Sequence, residues 1–128
     1  MTKNSRNLNI LLADDDKSTT VAVSVVLKQV GHRVNVVHDG EEALLAITHE
    51  PAGYQLVITD HQMKFTGLEL VTQLKKIAFP GKILVLSGYL ETNVKNAYRR
   101  LGVKTFIFKP FDLADLRKAV EELAAFEE

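Results

Sequence analysis

The chain has 128 residues, and its 16 Lys and Arg balance its 16 Asp and Glu. Since there is no cysteine, a disulfide framework, a thiolate metal site and a cysteine nucleophile are all excluded. Zero net charge gives no overall attraction to nucleic acid or to an anionic membrane, and no apolar run approaches the ~20 residues of a membrane span. We therefore expect one cytoplasmic domain over residues 1–128, with a polar tail at 1–7 and a core at 8–126, no direct nucleic-acid binding and no membrane insertion.

Five short apolar segments predict β-strands. The first, third and fourth do not alternate with polar residues, which is typical of strands buried on both faces of a parallel sheet. The second and fifth are more mixed and are expected at the sheet edges. The five predicted strands are Leu8–Ala13, Arg33–Val37, Tyr54–Thr59, Lys82–Leu86 and Lys104–Phe108.

Segments with helical spacing lie between and after these strands. Asp16, Asp39 and Asp112 stand where helix caps are expected, and Gly31, Pro51, Pro80 and Gly102 mark helix ends. The first helix conflicts with local propensity because four valines lie within six residues, yet parallel pairing of the first two strands needs such a crossover. The predicted helices are Lys17–Val30, Gly40–His49, Gly67–Ala78, Glu91–Leu101 and a last one from Asp112, with an apolar stripe of Leu113, Leu116, Val120 and Leu123.

Five β-α units predict an α/β fold, an open parallel sheet with helices on both faces. In such sheets sites lie at the carboxyl ends of the strands. There the sequence places Asp14-Asp15-Asp16, Asp60, Ser87-Gly88 and Lys109-Pro110. Each has an ordinary structural explanation when taken alone, as a helix cap, a turn or a solvated charge.

Taken together, these side chains predict a cation site. Two carboxylates ~4 Å apart repel by about 4 kcal/mol at an effective dielectric constant near 20. Oxygen ligands without cysteine or paired histidine favour Mg²⁺, which binds one or two carboxylates and keeps several waters. An ionised carboxylate beside Mg²⁺ and a lysine can attack phosphorus without a general base. The strand ends therefore predict phosphoryl chemistry.

The segments ILLADDD, LVITDHQM, ILVLSGY and FIFKPF occur in an order and at intervals that resemble a response-regulator receiver domain of two-component signalling. The resemblance extends from Leu8 to the end of the chain. It implies a CheY-like, flavodoxin-like (βα)5 fold with strand order 2-1-3-4-5. It also implies a signalling module with self-catalysed phosphotransfer and autodephosphorylation, and not a conventional enzyme.

The resemblance assigns roles at the metal site. Asp60 is expected to be the phospho-acceptor and also a Mg²⁺ ligand. Asp14 and Asp15 are expected to be the acid pair that binds Mg²⁺, with Asp15 the more direct ligand. The backbone carbonyl of Gln62 completes the expected protein ligands. Asp16 lies outside the pair and is interpreted as the helix cap.

The resemblance also assigns a switch. Ser87 corresponds to the switch hydroxyl, Gly88 to its small neighbour, Lys109 to the conserved-type lysine and Phe106 to the switch aromatic. Tyr89 and Gln62 stand where side chains tune the lifetime of the phosphoryl group, and Lys109-Pro110 is a candidate cis peptide. An alternative for Phe106, which lacks a phenolic hydroxyl, is a permanently buried core residue.

The implied partners are a histidine kinase or phosphotransfer protein, which donates the phosphoryl group, and an unknown output protein or tethered domain. Output is expected at the surface of the fourth helix, fifth strand and fifth helix. Lys95, Arg99 and Arg100 lie on that helix and either border this surface or form an ordinary solvated face. Both a stand-alone receiver and a domain of a hybrid kinase or larger regulator fit the sequence.

One segment departs from the family pattern D-x-x-M-P-x-M-x-G. Here Asp60-His61-Gln62-Met63-Lys64-Phe65-Thr66-Gly67 is one residue shorter and has Lys64 in place of proline. The local geometry, and with it the phosphorylation rate, is therefore less directly implied by the family.

Two other functions compete with this interpretation. The segment around Asp14 also resembles the D-x-D motif of a haloacid-dehalogenase-like phosphatase, with Asp14 as nucleophile and Asp16 as acid/base. Against it, Asp112 and Asp115 open a helix where that family needs acids at a strand end, and 128 residues leave no cap domain. The other alternative is a pseudo-receiver binding module that never carries phosphate.

Overall fold

The computed structural model describes residues 6–125, in which five strands alternate with five helices. Strands β1 to β5 and helices α1 to α5 are numbered in chain order. Their bounds are β1 Asn9–Ala13, α1 Lys17–Gln29, β2 Arg33–Val37, α2 Gly40–His49, β3 Leu56–Asp60, α3 Gly67–Lys76, β4 Lys82–Ser87, α4 Thr92–Arg100, β5 Thr105–Phe108 and α5 Leu113–Ala124.

All five strands are parallel and lie in the order β2-β1-β3-β4-β5. This confirms the predicted strand order and places β2 and β5 at the edges, as their mixed sequences indicated. In the register of the sheet, Ala13 pairs with Val37 on one side and Thr59 on the other, and Asp60 pairs with Leu86. The carboxyl ends of β1, β3 and β4 therefore meet at one edge of the fold.

Helices cover both faces of the sheet, and each face has its own apolar core. Successive side chains of a strand point to opposite faces, so Ile10 and Leu12 face one core while Leu11 and Ala13 face the other. Helices α1 and α5 pack on the first core, and α2, α3 and α4 pack on the second. Fully buried helix residues are Val23, Leu27, Leu116, Val120 and Ala124 in the first core and Ala43, Ile47, Leu70, Val71, Leu74 and Tyr98 in the second.

The helix α1 forms despite its valines. Val23 is fully buried, while Val21 and Val25 are exposed on the outer side, and the Asp16 carboxylate accepts hydrogen bonds from the backbone N–H groups of Ser18 and Thr19. Packing of one face and a satisfied N-terminus thus outweigh the weak helix propensity of β-branched residues.

Some element ends differ from the sequence prediction. Helix α3 ends at Lys76 and not at Ala78, because Ala78 adopts a left-handed backbone conformation with φ 56°. The last helix begins after Asp112 as predicted, but Leu113 at its first position is 37% exposed and does not belong to the buried stripe.

The predicted tail 1–7 and core 8–126 extend beyond the structure, since residues 1–5 and 126 lie outside the described residues. In the part that is described, no helix has the length and apolarity needed to cross a membrane.

Candidate functional site

Three carboxylates meet at the carboxyl edge of the sheet. Asp14 follows β1 and is fully buried, Asp60 is the last residue of β3 and is 3% exposed, and Asp15 is exposed to solvent. One carboxylate oxygen from each lies within 4.8 Å of the others. Adjacent parallel strands thus bring Asp14 and Asp60 together although 46 positions separate them in the sequence.

The ammonium of Lys109 lies between two of these acids. Its Nζ is 2.8 Å from Asp14 Oδ2 and 3.3 Å from Asp60 Oδ2. Lys109 directly follows β5, and its backbone N–H donates to the carbonyl of Ser87 at 2.8 Å, which fixes the start of the side chain beside β4. The predicted cis peptide Lys109-Pro110 is present.

Burial and charge determine the protonation of this cluster. Burial and the neighbouring Asp14 carboxylate raise the pKa of Asp60, against the opposing effects of the Gln62 N–H and Lys109. Burial lowers the pKa of Lys109, but its hydrogen bond to Asp14 and the charges of Asp60 and Asp14 outweigh it, and the net pKa is raised. Lys109 therefore stays charged, but its charge does not fully offset the repulsion between the Asp14 and Asp60 carboxylates.

The donor set fits a hard dication. All the candidate ligand atoms of the three carboxylates are oxygens. Because Asp15 is exposed, the remaining coordination positions can be filled by water or a ligand. Mg²⁺ binds in this way, with one or two carboxylates and retained waters. The acid cluster is thus one that could hold the metal typical of the family that its sequence resembles.

Asp16 does not belong to this cluster. Its carboxylate accepts from the backbone of Ser18 at 3.0 Å and from the Thr19 hydroxyl at 3.0 Å, and these hydrogen bonds lower its pKa. Asp16 is therefore a helix cap. This arrangement does not favour the phosphatase alternative, which needs Asp16 as the acid/base partner of Asp14.

Gln62 and Ser87 lie beside Asp60 and contact each other. The backbone N–H of Gln62 donates to Asp60 Oδ1 at 3.2 Å, and its side-chain Oε1 lies 3.4 Å from the backbone N of Gly88. The Ser87 hydroxyl is 3.2 Å from the Tyr89 carbonyl and 3.5 Å from Gln62 Oε1. The side chain of Gln62 therefore bridges the acceptor segment and the turn after β4.

Two glycines near the site differ in the space around them. A Cβ on Gly88 would meet Gln62 Oε1 at an ordinary 3.7 Å, so this position has room for a small side chain. A Cβ on Gly67 would lie 2.5 Å from the Asp60 carbonyl oxygen and 2.6 Å from the Tyr98 hydroxyl. The shortened segment after Asp60 is thus closed so tightly that residue 67 has no space for a side chain.

The predicted switch aromatic is half-buried. The Phe106 ring makes an edge contact with the Tyr98 ring, with centroids 5.9 Å apart. Lys95 Nζ and Arg99 Cζ lie over the Phe106 ring, 5.4 and 5.9 Å from its centroid. Phe106 is therefore not sealed in the core, and two of the three predicted basic residues of α4 contact it. Arg100 is exposed.

Sequence patterns did not point to two residues that join the site. The His38 ring, after β2, lies 3.1 Å from the Asp14 carbonyl. Tyr98, buried on α4, shares a 2.7 Å hydrogen bond with Nδ1 of His61. Burial and then the charge of Asp60 raise the pKa of Tyr98, so its hydroxyl keeps its proton. No local sequence pattern predicts these two contacts, because the residues of each pair are more than 20 positions apart.

Known proteins are similar to this chain in sequence, and solved structures are similar to it in fold. The chain is 29% identical over 124 residues to the sensory/regulatory protein RpfC of Xanthomonas campestris, covering 93% of this chain and 17% of that protein. It is 26% identical to the sporulation initiation phosphotransferase F of Bacillus subtilis, covering 91% of this chain and 93% of that one. The structure of the Vibrio cholerae chemotaxis protein CheY4 superposes with a TM-score of 0.83 at 26% identity, over 92% of this chain and 99% of that one.

A family model described as the response regulator receiver domain matches residues 10–121. The match includes the four strand ends, of β1, β3, β4 and β5, that carry the acids, the serine and the lysine described above. The order of the strands is that of the CheY-like fold. The chain belongs to the response regulator receiver domain family, the signalling modules of two-component systems.

Proposed function

We propose that this chain accepts a phosphoryl group on Asp60 from the phosphohistidine of a histidine kinase or phosphotransfer protein, and that it does so with Mg²⁺. The observation that carries the proposal is the position of Lys109, whose ammonium contacts both Asp14 and Asp60. The Lys109 ammonium places a positive charge beside the carboxylate oxygens of Asp60. A phosphoryl group there would add negative charge to that of the acids, and the ammonium would offset part of it.

The covalent step needs no base from the protein. An oxygen of the Asp60 carboxylate attacks phosphorus, a P–O bond forms, and the P–N bond of the donor phosphohistidine breaks with its electron pair returning to the ring nitrogen. The product is an aspartyl phosphate on this chain and a histidine on the donor. Water attack on phosphorus later releases inorganic phosphate and restores the carboxylate.

The residues of the site have complementary roles in this proposal. Asp14, Asp15, Asp60 and the carbonyl of Gln62 would hold Mg²⁺, which when bound would neutralise the charge of phosphoryl oxygens. Lys109 stabilises the same charge from the side of β5, and the Gln62 N–H donates to Asp60 Oδ1. These groups act by position and charge, which is how phosphoryl transfer is generally catalysed.

Phosphorylation changes the charge of Asp60, and this change starts the proposed conformational response. A carboxylate with one negative charge becomes an acyl phosphate with roughly two, and new strong acceptor oxygens appear. We propose that Ser87 then turns from the Tyr89 carbonyl toward a phosphoryl oxygen and that Phe106 moves into the space beside β4. The surface of α4, β5 and α5 changes as a result, and an output protein or tethered domain reads it.

The likeness to a Bacillus phosphotransferase and to a Xanthomonas sensory/regulatory protein supports a partner that carries phosphohistidine. The chain spans 17% of the length of the Xanthomonas protein, and both a free-standing and a tethered output fit the proposal. A cytoplasmic location follows from the proposed partners.

Labelling with radioactive acetyl phosphate in the presence of Mg²⁺ tests the proposal. We expect label on Asp60, its loss when EDTA removes Mg²⁺, and its abolition by Asp60→Asn. Asp16→Asn is the matched control, because asparagine caps a helix as well as aspartate does, and it should label like the wild type.

Three results would contradict the proposal. Label that persists in Asp60→Asn excludes this residue as the acceptor. Label found on Asp14 favours the phosphatase alternative. A wild-type chain that never labels with Mg²⁺ present favours the pseudo-receiver alternative.

A further inference from the structure

Tyr98 joins α4 to the segment that follows the proposed acceptor. Its side chain is fully buried, and its hydroxyl lies 2.7 Å from Nδ1 of His61, the residue directly after Asp60. The two rings also meet edge to face, with centroids 5.6 Å apart and planes at 77°. A single α4 side chain therefore contacts the acceptor segment through both a hydrogen bond and an aromatic contact.

The same ring reaches the predicted switch aromatic. Tyr98 and Phe106 make an edge contact with planes at 75°. Phe106 has no hydroxyl with which to hydrogen-bond, whereas Tyr98 has one and directs it toward His61. A row of three rings, from His61 through Tyr98 to Phe106, thus runs from the acceptor segment to β5.

The absence of a side chain at Gly67 leaves room for this contact. Gly67 leaves open the space that a Cβ would fill at 2.6 Å from the Tyr98 oxygen and 2.5 Å from the Asp60 carbonyl. The N–H of Gly67 donates to the His61 carbonyl at 3.1 Å, which closes the turn. The hydroxyl of Tyr98 therefore lies against a closed turn whose shape depends on residues 60–67.

The orientation of the Ser87 side chain corresponds to the unphosphorylated arrangement of the proposed switch. Its hydroxyl faces the Tyr89 carbonyl and Gln62, not Asp60. To reach a phosphoryl group on Asp60, the turn after β4 must rearrange, and that turn leads directly into α4. Because Tyr98 is on α4, its hydrogen bond to His61 resists displacement of the helix.

We propose that the Tyr98 hydroxyl is a positioning group that acts through His61 and holds α4 and the acceptor segment in the unphosphorylated arrangement. The inference rests on the proposed function. A ligand that favours the other arrangement must break this hydrogen bond, and removal of the bond should therefore strengthen binding of that ligand.

Beryllofluoride, which mimics a phosphoryl group on a carboxylate, provides the test. Its affinity in the presence of Mg²⁺ can be measured by fluorine NMR of the bound species in the wild type and in Tyr98→Phe. Tyr98→Phe keeps the ring and its contact with Phe106 and removes only the hydroxyl. We expect the affinity to rise roughly threefold to tenfold, the factor that corresponds to the net strength of one ordinary hydrogen bond.

Tyr54→Phe is the matched control. It removes a hydroxyl that accepts from Asn35 Nδ2 at 2.8 Å, on the side of the molecule where β2 lies, and the affinity should stay at the wild-type value. A role of Tyr98 in stability alone would lower the melting temperature of Tyr98→Phe without changing its affinity for beryllofluoride.

A double-mutant cycle with His61→Phe separates the bond from other effects. We expect Tyr98→Phe to have no further effect on affinity in the His61→Phe background. An unchanged affinity in Tyr98→Phe, or an equal gain in both backgrounds, overturns the inference and leaves the proposed function intact. A wild-type chain that does not bind beryllofluoride with Mg²⁺ present overturns both.

Discussion

The hydroxyl of Ser87 and the carbonyl of Tyr89 are 3.2 Å apart and within hydrogen-bonding distance. Ser87 ends β4 next to the strand that carries Asp60, yet its hydroxyl is hydrogen-bonded within its own turn. The serine is thus satisfied before any phosphoryl group is present. In the proposed switch it must exchange a neutral acceptor for a charged one, which gives a stronger hydrogen bond.

Ser87→Ala should weaken the binding of beryllofluoride by roughly tenfold to a hundredfold, because a hydrogen bond to a charged group contributes about 1.5 to 3 kcal/mol. Asp60 should still accept label from acetyl phosphate, since the nucleophile and the proposed metal ligands are unchanged. Ser87→Thr keeps the hydroxyl and is the control. An affinity equal to that of the wild type would show that Ser87 does not contact the phosphoryl group.

Lys109→Ala should destabilise the protein in the absence of Mg²⁺. It leaves the fully buried Asp14 facing Asp60 with no counter-charge. We expect a loss of about 2 to 3 kcal/mol in the free energy of unfolding, less than the ~3–5 kcal/mol typical of a fully buried pair because the Lys109 side chain is 23% exposed. Urea titrations with and without Mg²⁺ measure it, and Mg²⁺ should recover much of the loss.

The same variant tests the switch. Beryllofluoride should no longer shift the NMR signals of the Phe106 ring in Lys109→Ala, whereas the exposed Lys104 can be replaced by alanine with no such effect. If the Phe106 signals shift in Lys109→Ala as they do in the wild type, Lys109 does not connect the acceptor to the switch.

The two glycines of the site should respond differently to alanine. Gly67→Ala places a methyl group against the Asp60 carbonyl and the Tyr98 hydroxyl, and overpacking of this kind costs about 1 to 3 kcal/mol. Gly88→Ala places it in ordinary contact with Gln62, and the change should stay within about 0.5 kcal/mol. Chemical denaturation of both variants gives the comparison, and equal costs would contradict the crowding described at Gly67.

His32 should make stability depend on pH. It is 9% exposed, its Nδ1 accepts from the Leu8 N–H at 3.0 Å, and burial lowers its pKa below the ordinary value of 6.5. The folded state therefore binds the proton less readily than the unfolded state. The stability contributed by neutral His32 is complete above pH ~6.5 and is lost as the pH falls through 6.5 toward the lower folded pKa.

The variant His32→Asn carries an acceptor but does not titrate. Between pH 7 and pH 5 the wild type should lose stability more steeply than this variant, with a difference in slope of at most about 1.4 kcal/mol per pH unit, the value for one proton. Urea unfolding at several pH values measures both slopes. Parallel curves would mean that His32 does not titrate differently in the two states.

Much of the fold was predictable because the periodicity of apolar residues is local. Continuous runs identified the central strands, and Asp16 and Asp39 marked two helix starts that the structure confirms. The order of the strands came from the family resemblance, and the cluster of Asp14, Asp15 and Asp60 followed from the rule that sites lie at strand ends.

Other features depend on contacts between distant parts of the chain. The hydrogen bond between His61 and Tyr98 joins residues 37 positions apart, and no local pattern marks it. No sequence pattern marks the crowding at Gly67, where a Cβ would lie 2.6 Å from the hydroxyl of Tyr98 on α4. Leu113 has the spacing of the apolar stripe yet is 37% exposed, because spacing alone does not show which turns of a helix are covered.

The position of β3 has a mechanical consequence. β3 is the middle strand of the sheet, held by backbone hydrogen bonds to β1 on one side and β4 on the other, whereas β5 is held on one side only. Asp60 therefore lies on a strand that is restrained from both sides, while Phe106 lies on an edge strand that is restrained from one side only. In the proposed function, the P–O bond would form on a strand that is paired on both sides, and the conformational response would occur at an edge strand.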